Sequence, residues 1–164
     1  SDGSKADYIM IKGGGYRNPS SVETLREKVV DEFGNIRNDE QGYMRGEDVF
    51  NFVIVEVPKD IKNLLKYASV SKDDIDYYVF HQANNFINTH IAKRLKFDLS
   101  KIPSSMSKYG NTSSVSIPLT IISELKGFLK DEKSLLLTGF GVGLSWGTAI
   151  VPFNNCKISD IVEI

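Results

Sequence analysis

Two side chains in this sequence, His81 and Asn111, have the type and position that point most directly to chemistry. His81 follows the apolar run Tyr77–Phe80, which predicts a buried strand, and open α/β sheets bind their ligands at the carboxyl ends of such strands. Asn111 lies in a Gly-Asn-Thr-Ser-Ser run ahead of a predicted helix. A neutral imidazole and an amide both donate hydrogen bonds, so together they could stabilise an oxygen that becomes negative during reaction. The pair indicates acyl-transfer or enolate chemistry.

Each of these residues also has a structural interpretation. A single histidine is more often a hydrogen-bonding group than a catalytic one, and a Gly-Asn-Thr-Ser-Ser run is also an ordinary helix-capping turn. The pairing of two donors favours the chemical interpretation. The other histidine, His90, lies in a predicted helix and is expected at its surface or boundary.

The residues supply donors but no nucleophile. Cys156 lies in the polar context Asn154–Lys157, past the last predicted strand, and is a poor candidate for that role. Acyl transfer by this chain alone would therefore be incomplete.

A glycine-rich run, Gly139–Gly143, superficially matches a dinucleotide fingerprint. A strand-like run follows it where a helix would be required, so that interpretation is rejected. The run predicts instead a hairpin whose backbone approaches a ligand, with N–H groups available as oxyanion donors.

Composition sets the limits on partners and compartment. The chain has 164 residues and a formal charge of −1, from 20 basic and 21 acidic residues that are interspersed, so charge favours neither a nucleic-acid nor an anionic-membrane partner. One cysteine excludes an internal disulfide and a cysteine zinc site, and we expect no metal. We expect one compact domain in a cytoplasmic compartment, with no bilayer-spanning segment.

Periodicity predicts an alternation of strands and helices typical of an α/β protein. Helices are expected at 21–33, 46–68 and 86–95, and from a Ser113 or Ser114 cap to 129. Gly34-Asn35 would end the first of these helices, and Pro58 would kink or split the second. Strands are expected at 8–11, 77–80, 134–138 and 144–151, a capped turn at Ser71, and an extended link or edge strand at 101–103. The start at Ser1, without methionine, suggests a fragment of a longer protein.

Three motifs in order carry a family resemblance that spans essentially the whole chain. They are Phe80–Asn84, Tyr109–Ser114 with Ser116-Ile117-Pro118, and Gly139–Gly147, supported by Met44-Arg45-Gly46 with Val49-Phe50 and by Ser1-Asp2-Gly3. Together they resemble the carboxyl-terminal half of β-ketoacyl-acyl-carrier-protein synthase III, in the thiolase superfamily. The resemblance implies the carboxyl-terminal half of a duplicated α/β/α layered fold with a mixed sheet. Residues 1–15 would end the amino-terminal half, 16–45 would connect, and 46–164 would form the catalytic domain.

The resemblance also implies roles for individual residues. The family uses a Cys-His-Asn triad with its cysteine in the amino-terminal half, so His81 and Asn111 would hydrogen-bond the malonyl thioester carbonyl during decarboxylation. Phe140 would lie beside this site. Gly141 and the backbone N–H of Val142 would form the acyl oxyanion hole.

Other positions that match the family concern binding of the carrier of the substrate. Two residues among these carrier-binding positions differ from the family. Asn84 would contact the pantetheine arm, and Lys93 and Arg94 match basic positions that dock the carrier protein. Phe86 stands where many members have a docking arginine, and Glu47 replaces an asparagine that touches the cofactor arm. Each exposed contact is worth about 1 kcal/mol or less, so docking should be weakened rather than lost.

The resemblance thus predicts a 3-oxoacyl-[acyl-carrier-protein] synthase III condensing an acyl thioester with malonyl-acyl-carrier-protein in fatty-acid biosynthesis. The substrate would be a coenzyme A or phosphopantetheine thioester, with no permanent cofactor. Partners would be acyl carrier protein, the cysteine-bearing half and, for the full-length enzyme, a second subunit in a homodimer. Two alternatives remain open: acyl transfer to an alcohol or amine in a specialised pathway, and a non-catalytic half that pairs with a cysteine-bearing partner.

Overall fold

The computed structural model describes residues 1–154 and 156–162 and divides them into two compact units, where length and composition predicted one. The first unit comprises residues 1–49 and 141–145, and the second comprises 50–140 and the chain from 146 onward. Residue 155 in the Cys156 context and residues 163–164 of the predicted catalytic domain lie outside the described residues.

The first unit is built from short elements. A 3-10 turn, Gly3–Tyr8, leads into β1 (Ile9–Met10), and α1 (Val22–Leu25) precedes β2 (Lys28–Val29), β3 (Ile36–Arg37) and β4 (Tyr43–Met44). The pairs β1–β4 and β2–β3 are antiparallel. The strand predicted at 8–11 therefore exists but is only two residues long.

The helix predicted at 21–33 is wrong beyond its first turn. Ser21 does start a helix through a capping box with Thr24, but α1 ends at Leu25. The chain then turns back on itself, because the Asp31 carboxylate accepts from the N–H groups of Phe33 and Asn35 at 3.1 and 3.2 Å. Gly34, at φ +76°, belongs to this hairpin turn and does not terminate a helix.

Asp2 organises the start of the first unit. Hydrogen bonds from Lys5 and Ser4 hold the pKa of the Asp2 carboxyl at about 2. The Asp2 N–H donates to the Leu144 carbonyl at 2.8 Å, and the Leu144 N–H donates to the Asp2 carbonyl at 3.1 Å. The turn at 142–144 is thereby held against the amino-terminal residues of the same unit.

The second unit contains the sheet. Its strands are β5 (Tyr77–Phe80), β6 (Lys133–Gly141) and β7 (Ser145–Phe153), in the order β5-β6-β7. β5 and β6 are parallel, with Tyr77 opposite Leu135 and Phe80 opposite Thr138. The short connection between β6 and β7 makes them the predicted hairpin, so the sheet is mixed.

The second unit also contains helices. They are α2 (Gly46–Ala68), whose first residues belong to the first unit, α3 (Asn85–Leu95), α4 (Met106–Tyr109) and α5 (Ser116–Thr120). A 3-10 turn at Lys72–Asp74 is capped by Ser71, as predicted, and another at Leu99–Lys101 leads into the predicted extended link. One core cluster joins β5 and β6 to the segment after α5 and consists of Val79, Ile121, Leu125, Leu129 and Leu135.

The long helix predicted from Ser113 or Ser114 to 129 is wrong in two respects. Neither serine caps it, and Ser113 has φ +55°, in the left-handed region that a helix start does not use. The segment is instead a 3-10 turn at Ser113–Val115, then α5, then a π-helical turn at Ile121–Leu125. The left-handed residue therefore separates Asn111 from the regular helix.

The prediction of a helix at 46–68 is confirmed, and Pro58 does not split it. Proline has no N–H, so the Ile54 carbonyl one turn earlier lacks its helical donor. Arg94 Nη1 on α3 donates to that carbonyl at 2.5 Å. Within the described residues, no helix has the length and hydropathy needed to cross a bilayer.

Candidate functional site

His81 is the first residue after β5 and its backbone is fixed on both sides. Its N–H donates to the Thr138 carbonyl of β6 at 2.8 Å, which extends the strand ladder by one residue. Its carbonyl accepts from Asn88 Nδ2 of α3 at 3.2 Å. The imidazole therefore leaves the sheet at a defined point, the carboxyl end of a buried strand.

The His81 imidazole is half-buried between two side chains. Nδ1 lies 2.7 Å from the Ser116 hydroxyl oxygen, and the Phe140 ring meets the imidazole edge-on, with centroids 5.3 Å apart at 82°. Burial lowers the pKa of His81, and the nearby Ser113 backbone partly opposes that effect. The imidazole is accordingly neutral near pH 7 and keeps one N–H to donate.

Asn111 is exposed, and its side-chain oxygen already accepts a hydrogen bond. The side-chain Oδ1 accepts from the Ser113 N–H at 2.9 Å, which leaves the amide nitrogen without a hydrogen-bond partner among the described residues. Ser116, further along the same segment, contacts the His81 imidazole through its hydroxyl. One segment, residues 111–116, thus presents the Asn111 amide and contacts the His81 imidazole.

Ser116 was missed as a site residue by sequence reasoning. It belongs to the Ser116-Ile117-Pro118 motif, and its side chain is 1% exposed and touches His81. The available signal was the spacing of Ser116 and Thr120, four residues apart, which places two hydroxyls on one face of a helical turn.

Gly141 and Val142, the predicted oxyanion-hole residues, lie in the first unit. Gly141 ends β6, and Val142 opens the turn between β6 and β7 with 66% of its side chain exposed. The Asp2–Leu144 backbone pair described above holds this turn within its unit.

Asn84, predicted to contact the pantetheine arm, is the N-cap of α3. Its Oδ1 accepts from the Ile87 N–H at 2.8 Å. As at Asn111, the oxygen serves the backbone and the amide N–H groups remain available to a ligand.

Phe86, which stands where the family has a docking arginine, is 68% exposed on the first turn of α3. It stacks on Phe50 of α2 with ring centroids 5.6 Å apart, and His90 meets Phe50 edge-on at 6.0 Å. The predicted surface or boundary position of His90 agrees with its intermediate exposure.

The two basic residues predicted to dock a carrier differ in their contacts. The Lys93 side chain is exposed and makes no ion pair or hydrogen bond with the described residues. Arg94 is occupied by the Ile54 carbonyl that Pro58 leaves without a donor. Arg94 therefore has a structural contact in this fold, and Lys93 is the free cation of the pair.

Groups that could provide other chemistry are few. Among residues 1–154 and 156–162, no cluster of three His, Cys, Asp or Glu side chains is arranged to hold a metal ion. The Cys156 thiol is exposed and lies 3.7 Å from the Asn154 carbonyl oxygen.

A family model described as 3-oxoacyl-[acyl-carrier-protein (ACP)] synthase III C terminal matches residues 65–153. Among curated relatives, the beta-ketoacyl-[acyl-carrier-protein] synthase III of Streptococcus gordonii is 43% identical over 124 residues, which is 73% of this chain and 38% of that protein. The enzyme of the same description from Campylobacter concisus is 34% identical over 162 residues, which is 98% of this chain and 46% of that protein. The chain spans less than half the length of these relatives.

Solved structures show the same fold. A crystal structure of 3-oxoacyl-(acyl-carrier-protein) synthase III superposes with a TM-score of 0.86 and 38% identity, over 92% of this chain and 45% of that one. The 3-oxoacyl-(acyl-carrier protein) synthase of Burkholderia xenovorans gives a TM-score of 0.85 and 35% identity, over 98% and 44%. The predicted thiolase-like α/β fold with a mixed sheet is confirmed. The chain belongs to the family of carboxyl-terminal domains of 3-oxoacyl-[acyl-carrier-protein] synthase III.

Proposed function

We propose that this chain is the carboxyl-terminal part of a 3-oxoacyl-[acyl-carrier-protein] synthase III that condenses an acyl thioester with malonyl-acyl-carrier-protein in fatty-acid biosynthesis. One observation carries the proposal: a half-buried, neutral His81 at the end of β5 contacts the same segment that presents the free amide of Asn111. Two uncharged donors in this arrangement suit an oxygen that gains negative charge.

In the proposed reaction, the acyl group is first held as a thioester on a cysteine from a part of the enzyme that this chain does not cover. The bond between the malonyl carboxylate and its neighbouring carbon then breaks, carbon dioxide leaves, and the electron pair delocalises onto the thioester oxygen. His81 and Asn111 donate to that oxygen. The carbanion attacks the acyl carbonyl carbon and forms the new carbon–carbon bond, and the resulting tetrahedral oxyanion then collapses with departure of the cysteine thiolate.

The acyl carbonyl also develops negative charge when the carbanion attacks it. We assign its stabilisation to the backbone N–H of Val142, next to Gly141, in the turn between β6 and β7. Because the donor is a backbone group, valine can serve where glycine is more usual.

The substrates arrive on a phosphopantetheine or coenzyme A arm, and no resident cofactor takes part. We propose that the free amide of Asn84 contacts this arm and that Lys93, with the exposed ring of Phe86, meets acyl carrier protein. Arg94 contributes less to docking because the Ile54 carbonyl holds its guanidinium. The full-length enzyme is proposed to act as a homodimer.

The test of the proposal uses the full-length enzyme with His81→Ala. Acylation of the cysteine should be retained, while malonyl decarboxylation falls by about 10²–10³-fold, the usual loss when one oxyanion donor is removed. His90→Ala is the matched control and should leave both steps unchanged. Unimpaired decarboxylation in His81→Ala would contradict the assigned role.

Asn111 offers a graded version of the same test. Asn111→Ala removes a donor, whereas Asn111→Asp also places a negative charge beside the developing oxyanion. The aspartate variant should decarboxylate malonyl thioester more slowly than the alanine variant. Equal rates in the two variants would mean that Asn111 does not face the oxyanion.

Phe86 in the place of a docking arginine supports a second candidate, acyl transfer to an alcohol or amine without decarboxylation. Mass spectrometry of the products separates the two reactions, because condensation lengthens the acyl chain by two carbons and releases carbon dioxide, whereas simple transfer does neither.

A further inference from the structure

The Ser116 hydroxyl is a buried polar group in contact with the proposed donor His81. Its side chain is 1% exposed at the start of α5, and a buried hydroxyl is costly unless it is hydrogen-bonded. The Oγ has two polar neighbours, His81 Nδ1 at 2.7 Å and the Gln82 backbone N–H at 3.3 Å.

The number of available protons determines which atom donates in the hydrogen bond between Ser116 and His81. A serine hydroxyl has one proton to donate and two lone pairs, and the Gln82 N–H already occupies one lone pair. Among the described residues, the one acceptor that the hydroxyl proton can reach is His81 Nδ1. If Nδ1 carried the imidazole proton instead, the buried hydroxyl proton would be left without an acceptor.

Ser116 is itself held by a buried polar network, which we define as Gln82, Ser105, Ser116 and Thr120. Thr120 Oγ1 donates to the Ser116 carbonyl at 2.8 Å and pairs with Ser105 Oγ at 2.8 Å. The Ser105 N–H donates to Gln82 Oε1 at 3.2 Å, which closes the network. The four side chains are at most 1% exposed, so water cannot replace these bonds.

We infer that Ser116 is a positioning residue that fixes His81 in the tautomer with its proton on Nε2. Nδ1 is then an acceptor from Ser116, and the only N–H of the neutral imidazole is on the far side from α5. The buried polar network sets the orientation of the Ser116 hydroxyl and so the identity of the protonated nitrogen. The tautomer is a property of this chain, whereas its catalytic consequence depends on the condensation proposed above.

The tautomer can be measured without any assay of activity. The 164-residue chain has two histidines, so labelling with ¹⁵N-histidine gives two imidazole spin systems, and His81→Gln assigns them. We expect a pyridine-type Nδ1 and a pyrrole-type Nε2 for His81 in the unsubstituted chain above its pKa. A pyrrole-type Nδ1 would overturn the inference.

Ser116→Ala and Ser116→Thr separate the hydroxyl from packing. The alanine variant should shift His81 toward a mixture of tautomers, and the threonine variant, which keeps the hydroxyl, should restore the Nε2–H form. The His90 signals should stay unchanged in both variants. If the tautomer of His81 is the same with and without the hydroxyl, Ser116 does not position it.

A kinetic experiment on the full-length enzyme then tests the consequence. Ser116→Ala should lower malonyl decarboxylation by roughly 10–100-fold, by analogy with the loss seen when the partner that orients a metal-binding histidine is removed, and should spare cysteine acylation. A changed tautomer together with unchanged decarboxylation would refute the role proposed for His81 and uphold the inference about Ser116. An unchanged tautomer would refute the inference alone.

Discussion

The two units of this chain are stabilised in different ways. In the first unit, Leu144 is the one buried hydrophobic side chain among the described residues, and apolar residues such as Tyr16 and Phe33 are more than 80% exposed. Its strands are two residues long and are accompanied by exposed ion pairs such as Lys28–Asp39. The second unit holds all the other buried hydrophobic side chains.

The difference explains where polar groups can be fixed for chemistry. Burial lowers the pKa of His81 and makes an unmet hydrogen bond costly at Ser116, and both effects require an apolar surrounding that excludes water. Exposed ion pairs like those of the first unit are screened and contribute little. The two side-chain donors, His81 and Asn111, therefore occur in the unit that has a core.

The two units should differ most in their response to a cavity, which is expected to be costly in the core of the second unit. Leu135 is fully buried in β6, so Leu135→Ala should lower the free energy of unfolding by about 2–5 kcal/mol. Val29→Ala, at a 66% exposed site on β2, should change it by less than about 0.5 kcal/mol. Urea denaturation followed by circular dichroism measures both. Equal losses would show that the two units do not differ as described.

In the second unit, an exposed hydrogen bond should contribute to the free energy of unfolding where it satisfies a backbone carbonyl that lacks its helical donor. Arg94→Ala removes the donor to the Ile54 carbonyl and should cost about 1 kcal/mol, whereas Lys93→Ala, with no such contact, should be nearly neutral.

A double-mutant cycle isolates this contribution. Pro58→Ala restores the helical N–H to the Ile54 carbonyl, so Arg94→Ala should cost less in the Pro58→Ala background. Additive effects of the two substitutions would contradict the explanation.

The pH dependence of stability offers a finer test. The folded pKa of His81 lies below the unfolded value of 6.5, so the unfolded chain binds a proton more readily. The stabilisation due to this group is complete above pH 6.5 and is lost as the pH falls through the lowered folded pKa. His81→Gln should flatten the dependence of the unfolding free energy on pH in this window, and His90→Gln should not. An unchanged slope in His81→Gln would count against burial of the imidazole.

The smallest effect is expected at an ion pair of the first unit. Lys28 Nζ lies 2.7 Å from Asp39 Oδ2, with both side chains partly exposed. Lys28→Ala should change the free energy of unfolding by about 0.5 kcal/mol or less, and added salt should remove the difference. A loss above about 1 kcal/mol would mean that the pair is better shielded than its exposure indicates.

Sequence reasoning predicted the elements with the strongest apolar patterns. The helix at 46–68 repeats apolar residues at helical spacing, the strand at 77–80 is a short continuous apolar run, and glycines join the two apolar runs of the hairpin of β6 and β7; the structure contains all three. The helix predicted at 21–33 is wrong beyond Leu25, because local turn signals within it were not taken into account. The β-branched residues at 29–30 and the Asx turn at Asp31 favoured a hairpin.

The site was only partly predictable for a related reason. His81 and Asn111 stand out because strand ends and glycine turns are visible in sequence, but the partners of their polar atoms depend on tertiary contacts. Ser116 reaches His81 across 35 residues. The left-handed Ser113, which breaks the expected helix, also has no residue-type signal, since serine rarely adopts that conformation.

Trp146 is the single tryptophan of the sequence, and its indole meets the ring of Phe52 edge-on, with centroids 5.0 Å apart at 71°. Both residues belong to the second unit, one on β7 and the other on α2. The intrinsic fluorescence of this chain is therefore a built-in optical reporter of how the long helix rests on the sheet. A change in the contact between α2 and β7 should therefore alter the emission spectrum of this lone fluorophore.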